Sequence, residues 1–123
     1  MKRHNLFLIL IVFSMVMSSC KYDYILPEVV APVSDVSFSQ DVTPIFTAKC
    51  ISCHKAGNTS PDLTAANAFA QIMSANLVNA TTPAESKLYT FPSPTTGTHT
   101  WKKYSAKEAA TVLQWIKEGA KNN

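Results

Sequence analysis

Two cysteines and a histidine fall within five residues, Cys50-Ile51-Ser52-Cys53-His54. All three side chains are metal ligands or form covalent links, so the run admits a disulfide, a zinc site, a reactive dithiol or covalent attachment of haem. Haem attachment needs two thiols that can reach two vinyl groups and an imidazole beside them to ligate the iron. Two intervening residues at a helix end provide that spacing, with His54 as the proximal ligand. Zinc needs four ligands, and beyond this run the exported part of the chain offers only His99 before carboxylates must serve. Adjacent Cys53 and His54 also fit poorly around one tetrahedral ion together with Cys50. A thioredoxin-like dithiol wants a βαβ setting, and no strand pattern precedes the motif. The residue types therefore favour one covalent haem c, attached through Cys50 and Cys53.

The third cysteine belongs to a different feature. Met1-Lys2-Arg3-His4 is basic, Leu6 to Met17 is apolar apart from Ser14, and Met17-Ser18-Ser19 leads into Cys20. A basic start followed by about a dozen apolar residues reads as a signal peptide, since a retained membrane helix needs about 20. The stretch resembles the lipobox of bacterial lipoproteins, where cleavage precedes the cysteine and its thiol is acylated, although Met17 stands where Leu is commonest. Residues 1–19 are expected to be a lipoprotein signal peptide, residues 20–37 a lipidated N-terminus and linker, and residues 38–123 the domain. The expected location is the bacterial cell envelope, lipid-anchored through Cys20 at the inner membrane, the outer membrane or the cell surface. Export agrees with haem c, which is attached outside the bacterial cytoplasm. With Cys20 acylated, only Cys50 and Cys53 remain, and no disulfide framework is available.

Charge narrows the partners. Removing residues 1–19 takes away Lys2 and Arg3 and lowers the formal charge from +3 to +1. The nine remaining lysines are scattered, with no run longer than Lys102-Lys103, which argues against nucleic acid. The five carboxylates of residues 38–123 are dispersed, and no nucleophile and base stand near the motif. Neither catalysis nor a small-molecule substrate is expected.

Helical elements must position these groups. Val42, Ile45, Phe46, Cys50 and Cys53 repeat at helical spacing, which predicts a first helix with both cysteines on one face, capped by Ser39 and tolerating Pro44 near its start. A short helix is predicted over about 64–75, with Leu63, Ala66, Phe69, Ala70 and Met73 inside. Thr82-Pro83-Ala84-Glu85 has the form of a capping box opening another helix, with Leu88 as its packing residue. Residues 91–100 hold two prolines and a glycine and should be loop. The clearest element is the last: Ser105 and Glu108 form a capping box, Ala109, Val112, Leu113, Ile116 and Ala120 form an apolar stripe, and Gly119 ends it. This helix should pack across the first, with Trp115 at the edge of the seam. A domain of about 85 residues buries a marginal core, and an apolar macrocycle at its centre would make up the deficit.

With "DVTPIFTAKCISCH" at its front and "SAKEAATVLQWIKEGAKNN" at its end, the stretch from residue 38 to 123 resembles small single-haem c-type cytochromes of the class I kind, especially those of bacterial lipoproteins. The resemblance implies an all-α fold in which the first and last helices cross and short helices and loops enclose the haem. It also implies a Pro carbonyl that orients the proximal histidine, and Pro61 in "NTSPDL" matches that position. Its usual distal ligand is a Met in the loop before the last helix, and here this chain departs. Met73 is the one Met of the exported part and falls on a helical stripe, whereas the late loop holds His99 in "TGTHTW". His99 is the expected distal ligand, with Met73 or a vacant site as alternatives. Trp101, Tyr89 and Tyr104 read as packing residues. The implied function is electron transfer between redox partner proteins of the respiratory or envelope chain. The rival is a haem sensor or peroxidase-like enzyme with an open distal site.

Overall fold

Ser37 opens the first helix. Its extended backbone (φ −87°, ψ 131°) lets its hydroxyl accept the Gln40 N–H, while Asp41 accepts the Ser37 N–H at 2.8 Å. Ser39, the expected cap, already lies inside the first turn, and its N–H is donated to the Asn123 carbonyl. The buried ring of Phe38 explains the shift, because a cap must stand before the first residue that turns into the core. The structure, a computed structural model, describes residues 33–123. The predicted signal peptide, Cys20 and the linker up to residue 32 lie outside the described residues. Residues 33–37, read as the end of the linker, pack on the domain: Val36 is buried and its N–H is donated to Glu118 at 2.8 Å.

The opening turn, Phe38–Val42, is π-helical and runs directly into α1, Thr43–Lys49. Pro44 is the second residue of α1, at the junction with the π-helical turn. Val42, Ile45 and Phe46 are buried as their spacing requires, and Cys50 is half-buried at the end of the same face. Cys53 is not on that face. The helix stops at Lys49, and the rest of the motif folds into a turn that leaves Cys53 exposed.

The second helix, α2, spans Ala68–Ser74 and is shorter than predicted. Asp62 is the cause: its carboxylate accepts from the Thr64 N–H, the Thr64 hydroxyl and the Asn67 amide, holding the preceding residues in a turn. The inner face of α2 differs from the predicted one. Leu63, Ala68 and Ile72 are buried with Phe69 packed beside them, whereas Ala66 and Ala70 are exposed and Met73 is 42% exposed. The predicted inward placement of Met73 is thus overturned.

The third predicted helix is split. Pro83–Glu85 is a 3-10 turn, and α3 is only Lys87–Thr90, with Leu88 buried. Thr82 caps no backbone group, because Asn79 already accepts the Thr82 N–H and the Thr82 hydroxyl donates to Glu85. Buried Ser86 interrupts the run by accepting the Asn79 N–H.

The last helix, α4, spans Ala106–Lys117 with the predicted capping box complete, and Gly119 (φ +96°) lies just past its end. Trp115 is not at the edge of a seam. It is fully buried, 5.1 Å from Phe38 between ring centres, and its indole N–H donates to the Lys121 carbonyl. Phe38 in turn meets Phe46 and Phe69 edge-on. The first and last helices run in opposite senses with both ends tied. Residues 37–39 bond to Asn123 at one end, and at the other the Lys49 ammonium reaches the Glu108 carboxylate at 2.5 Å and the Lys103 carbonyl at 3.0 Å. Among the described residues there is no strand, and no helix is long and apolar enough to cross a membrane.

Candidate functional site

The pinned helix ends hold two loops against each other, and an apolar cavity of about 330 Å³ lies between them. Cys50, His54, Pro61 and Leu63 form one wall, contributed by the cysteine motif and the turn after it. Leu77, Lys87, Leu88, Phe91, His99 and Tyr104 form the other. Leu88 donates its N–H to the Leu77 carbonyl, which anchors α3 on that side. The Tyr104 hydroxyl donates to the Leu88 carbonyl at 3.1 Å, and burial first of all, then Cys50 and Glu108, raise its pKa, so it stays a neutral wall residue.

The motif is a single tight turn. Cys53 and His54 both donate their N–H to the Cys50 carbonyl, and Leu63 donates its N–H to the His54 carbonyl, which lays residues 61–63 alongside the histidine. The Pro61 carbonyl then lies 3.2 Å from His54 Nδ1. A carbonyl can only accept, so Nδ1 carries the proton and Nε2 is left with its lone pair. His99 repeats the arrangement: its Nδ1 bonds the Lys102 carbonyl in a turn that the Lys102 N–H closes onto the His99 carbonyl. His99 holds this position with a left-handed backbone, φ +53°, which is rare for a residue with a Cβ and recurs at functional sites.

The two rings lie across the cavity with centroids 6.0 Å apart and planes 21° from parallel. A bound metal sits about 2 Å from an imidazole nitrogen, itself about 1.1 Å from the ring centre, so two imidazoles flanking one metal place their centroids about 6 Å apart. Each ring also shows the carbonyl-bonded second nitrogen that ligating histidines have. The separation admits a metal between the two rings. Among the described residues no three His, Cys, Asp or Glu side chains converge on one point.

Of the two thiols, Cys50 lines the cavity and Cys53 lies outside its lining, at the exposed rim. Burial, reinforced by Glu108 and partly offset by Lys49 and Lys102, pushes the Cys50 thiol up to about 11. A raised pKa marks a buried, unactivated thiol, unlike the lowered pKa of a reactive one. Met73 is not among the lining residues.

The sequence reading therefore brought together Cys50, His54, Pro61 and His99. It missed the wall residues Leu77, Lys87 and Phe91, which carry no motif, and it missed the contact of Trp101 with His99, 5.2 Å between ring centres. No protein-family model, curated protein or solved structure matches the chain.

Proposed function

We propose that the chain is a small class I-like cytochrome that carries one covalent haem c and passes single electrons between protein partners of the bacterial cell envelope. The observation that carries this reading is the imidazole pair, each Nδ1 bonded to a backbone carbonyl and the rings 6.0 Å apart across an apolar cavity that includes Cys50. When bound, haem c supplies an iron that alternates between ferric and ferrous states.

The chain's residues supply the rest. Cys50 and Cys53 would hold the macrocycle by thioether bonds, and His54 and His99 would supply nitrogen ligands to its iron, their rings aimed by the carbonyls of Pro61 and Lys102. Two imidazoles lack the thioether's preference for ferrous iron, so the potential lies below that of His/Met relatives. Leu63, Leu77 and Leu88 give the site part of its apolar lining. A sensor or peroxidase-like enzyme needs an open distal position, and His99 opposite His54 speaks for a carrier.

Charge distribution supports a protein partner of acidic character. The segment that carries His99, residues 86–107, includes Lys87, Lys102, Lys103 and Lys107 and no carboxylate, whereas the rest of residues 33–123 has four lysines and six carboxylates. A lipid on Cys20 would tether this carrier to its membrane.

Protein exported in a host that attaches haem c should, after denaturation, weigh one haem more than the bare polypeptide. Changing Cys50 and Cys53 to Ala should return it to the bare mass. Wild-type protein with two free thiols and no haem would reject the reading.

A further inference from the structure

We infer that Trp101 is a positioning residue for His99, setting the plane of its imidazole and holding it in place. The inference rests on the reading of His54 and His99 as ligands to one iron. Trp101 is 73% exposed, the most exposed of the large apolar side chains among the described residues, so its indole adds little to the core. Its one aromatic neighbour among those residues is His99, at 5.2 Å and 32° between planes. Trp101 does not line the cavity, so whatever it does to the site it does through His99.

The bond to Cβ and the hydrogen bond from Nδ1 to the Lys102 carbonyl hold one edge of the His99 ring. The indole of Trp101 adds a contact to the ring itself. The need is local, because His99 sits in a loop with no helix from residue 91 to 105 and in a left-handed backbone conformation that the loop must sustain. With Trp101 in place, the His99 plane lies 21° from that of His54.

Haem-loaded protein with Trp101→Ala and Trp101→Phe tests this. Electron paramagnetic resonance of the ferric low-spin iron reports the angle between the imidazole planes, and cyanide binding reports how readily His99 leaves. Wild type should give the rhombic signal of near-parallel imidazoles. Trp101→Ala should shift the signal toward the large-g form of twisted planes and take up cyanide several-fold faster, with thermal unfolding little changed. Trp101→Phe should restore most of both. An unchanged signal and cyanide rate in Trp101→Ala would make Trp101 a bystander while leaving the ligands standing. If Trp101→Ala fails to fold, a Trp101→Phe protein with twisted planes decides against the proposal, and one with the wild-type signal supports it. A wild type without two imidazole ligands would overturn both this inference and the reading beneath it.

Discussion

His54 and His99 lie 21° from parallel although their rings are oriented by carbonyls of different loops, Pro61 for one and Lys102 for the other. Neither loop could find this arrangement alone. The Lys49 ammonium, one residue before the motif, bonds Glu108 at the start of α4 and the Lys103 carbonyl beside His99's turn. The two histidines are thus registered through the junction of the first and last helices.

Met73 and His99 should behave oppositely when changed. Met73→Leu replaces an exposed side chain outside the cavity and should leave the spectrum and potential as they are. His99→Ala should give high-spin iron, and His99→Met should raise the potential where the sulfur reaches the iron. Loss of a ligand in Met73→Leu would transfer the distal role to Met73.

Trp115 supports the whole assembly from beneath. It is fully buried against Phe38 and ties the chain end through Lys121, so Trp115→Ala should cost about 3–5 kcal/mol. Urea unfolding of the haem-loaded protein measures this, and a loss below about 1 kcal/mol would contradict the packing described.

Glu108 gives the stability a pH dependence. Burial works to raise its pKa, but hydrogen bonds from Lys49 and Ser105 outweigh burial and hold it below the ordinary carboxylate range. The folded form therefore binds this proton less readily than the unfolded one. The contribution is complete above the ordinary glutamate pKa of about 4.3 and is lost as pH falls through the lower folded value. Glu108→Gln should be less stable than wild type by about 1 kcal/mol at neutral pH. The gap in urea midpoints should close in acid, and a gap independent of pH would count against this role.

The lysines of residues 86–107 should govern partner choice. Lys87→Glu with Lys102→Glu should slow electron exchange with a carboxylate-terminated electrode and weaken its dependence on salt, while speeding exchange with an ammonium-terminated one. Equal rates on both surfaces would mean that this segment does not dock.

What was legible in the sequence depended on how local its cause is. The capping box of Ser105 and Glu108 and the loop over residues 91–100 follow from short-range chemistry and are found, as is the stripe of Ala109, Val112, Ile116 and Ala120, whereas Leu113 is half-buried outside the core cluster. The start of α2 was misjudged because Asp62 claims the backbone and side chains of Thr64 and Asn67 before helical periodicity can act. The place of Trp115 depends on where Phe38 meets it, a long-range fact that no periodicity in α4 contains. The pairing of His99 with His54 was reached only through the resemblance, since a lone histidine in a loop has no spacing to declare its partner.

If one haem iron lies between His54 and His99, near-infrared magnetic circular dichroism of the ferric protein should show a low-spin charge-transfer band at the energy given by two imidazole ligands. A band at the energy of methionine sulfur ligation, a high-spin spectrum, or no haem signal at all would contradict it.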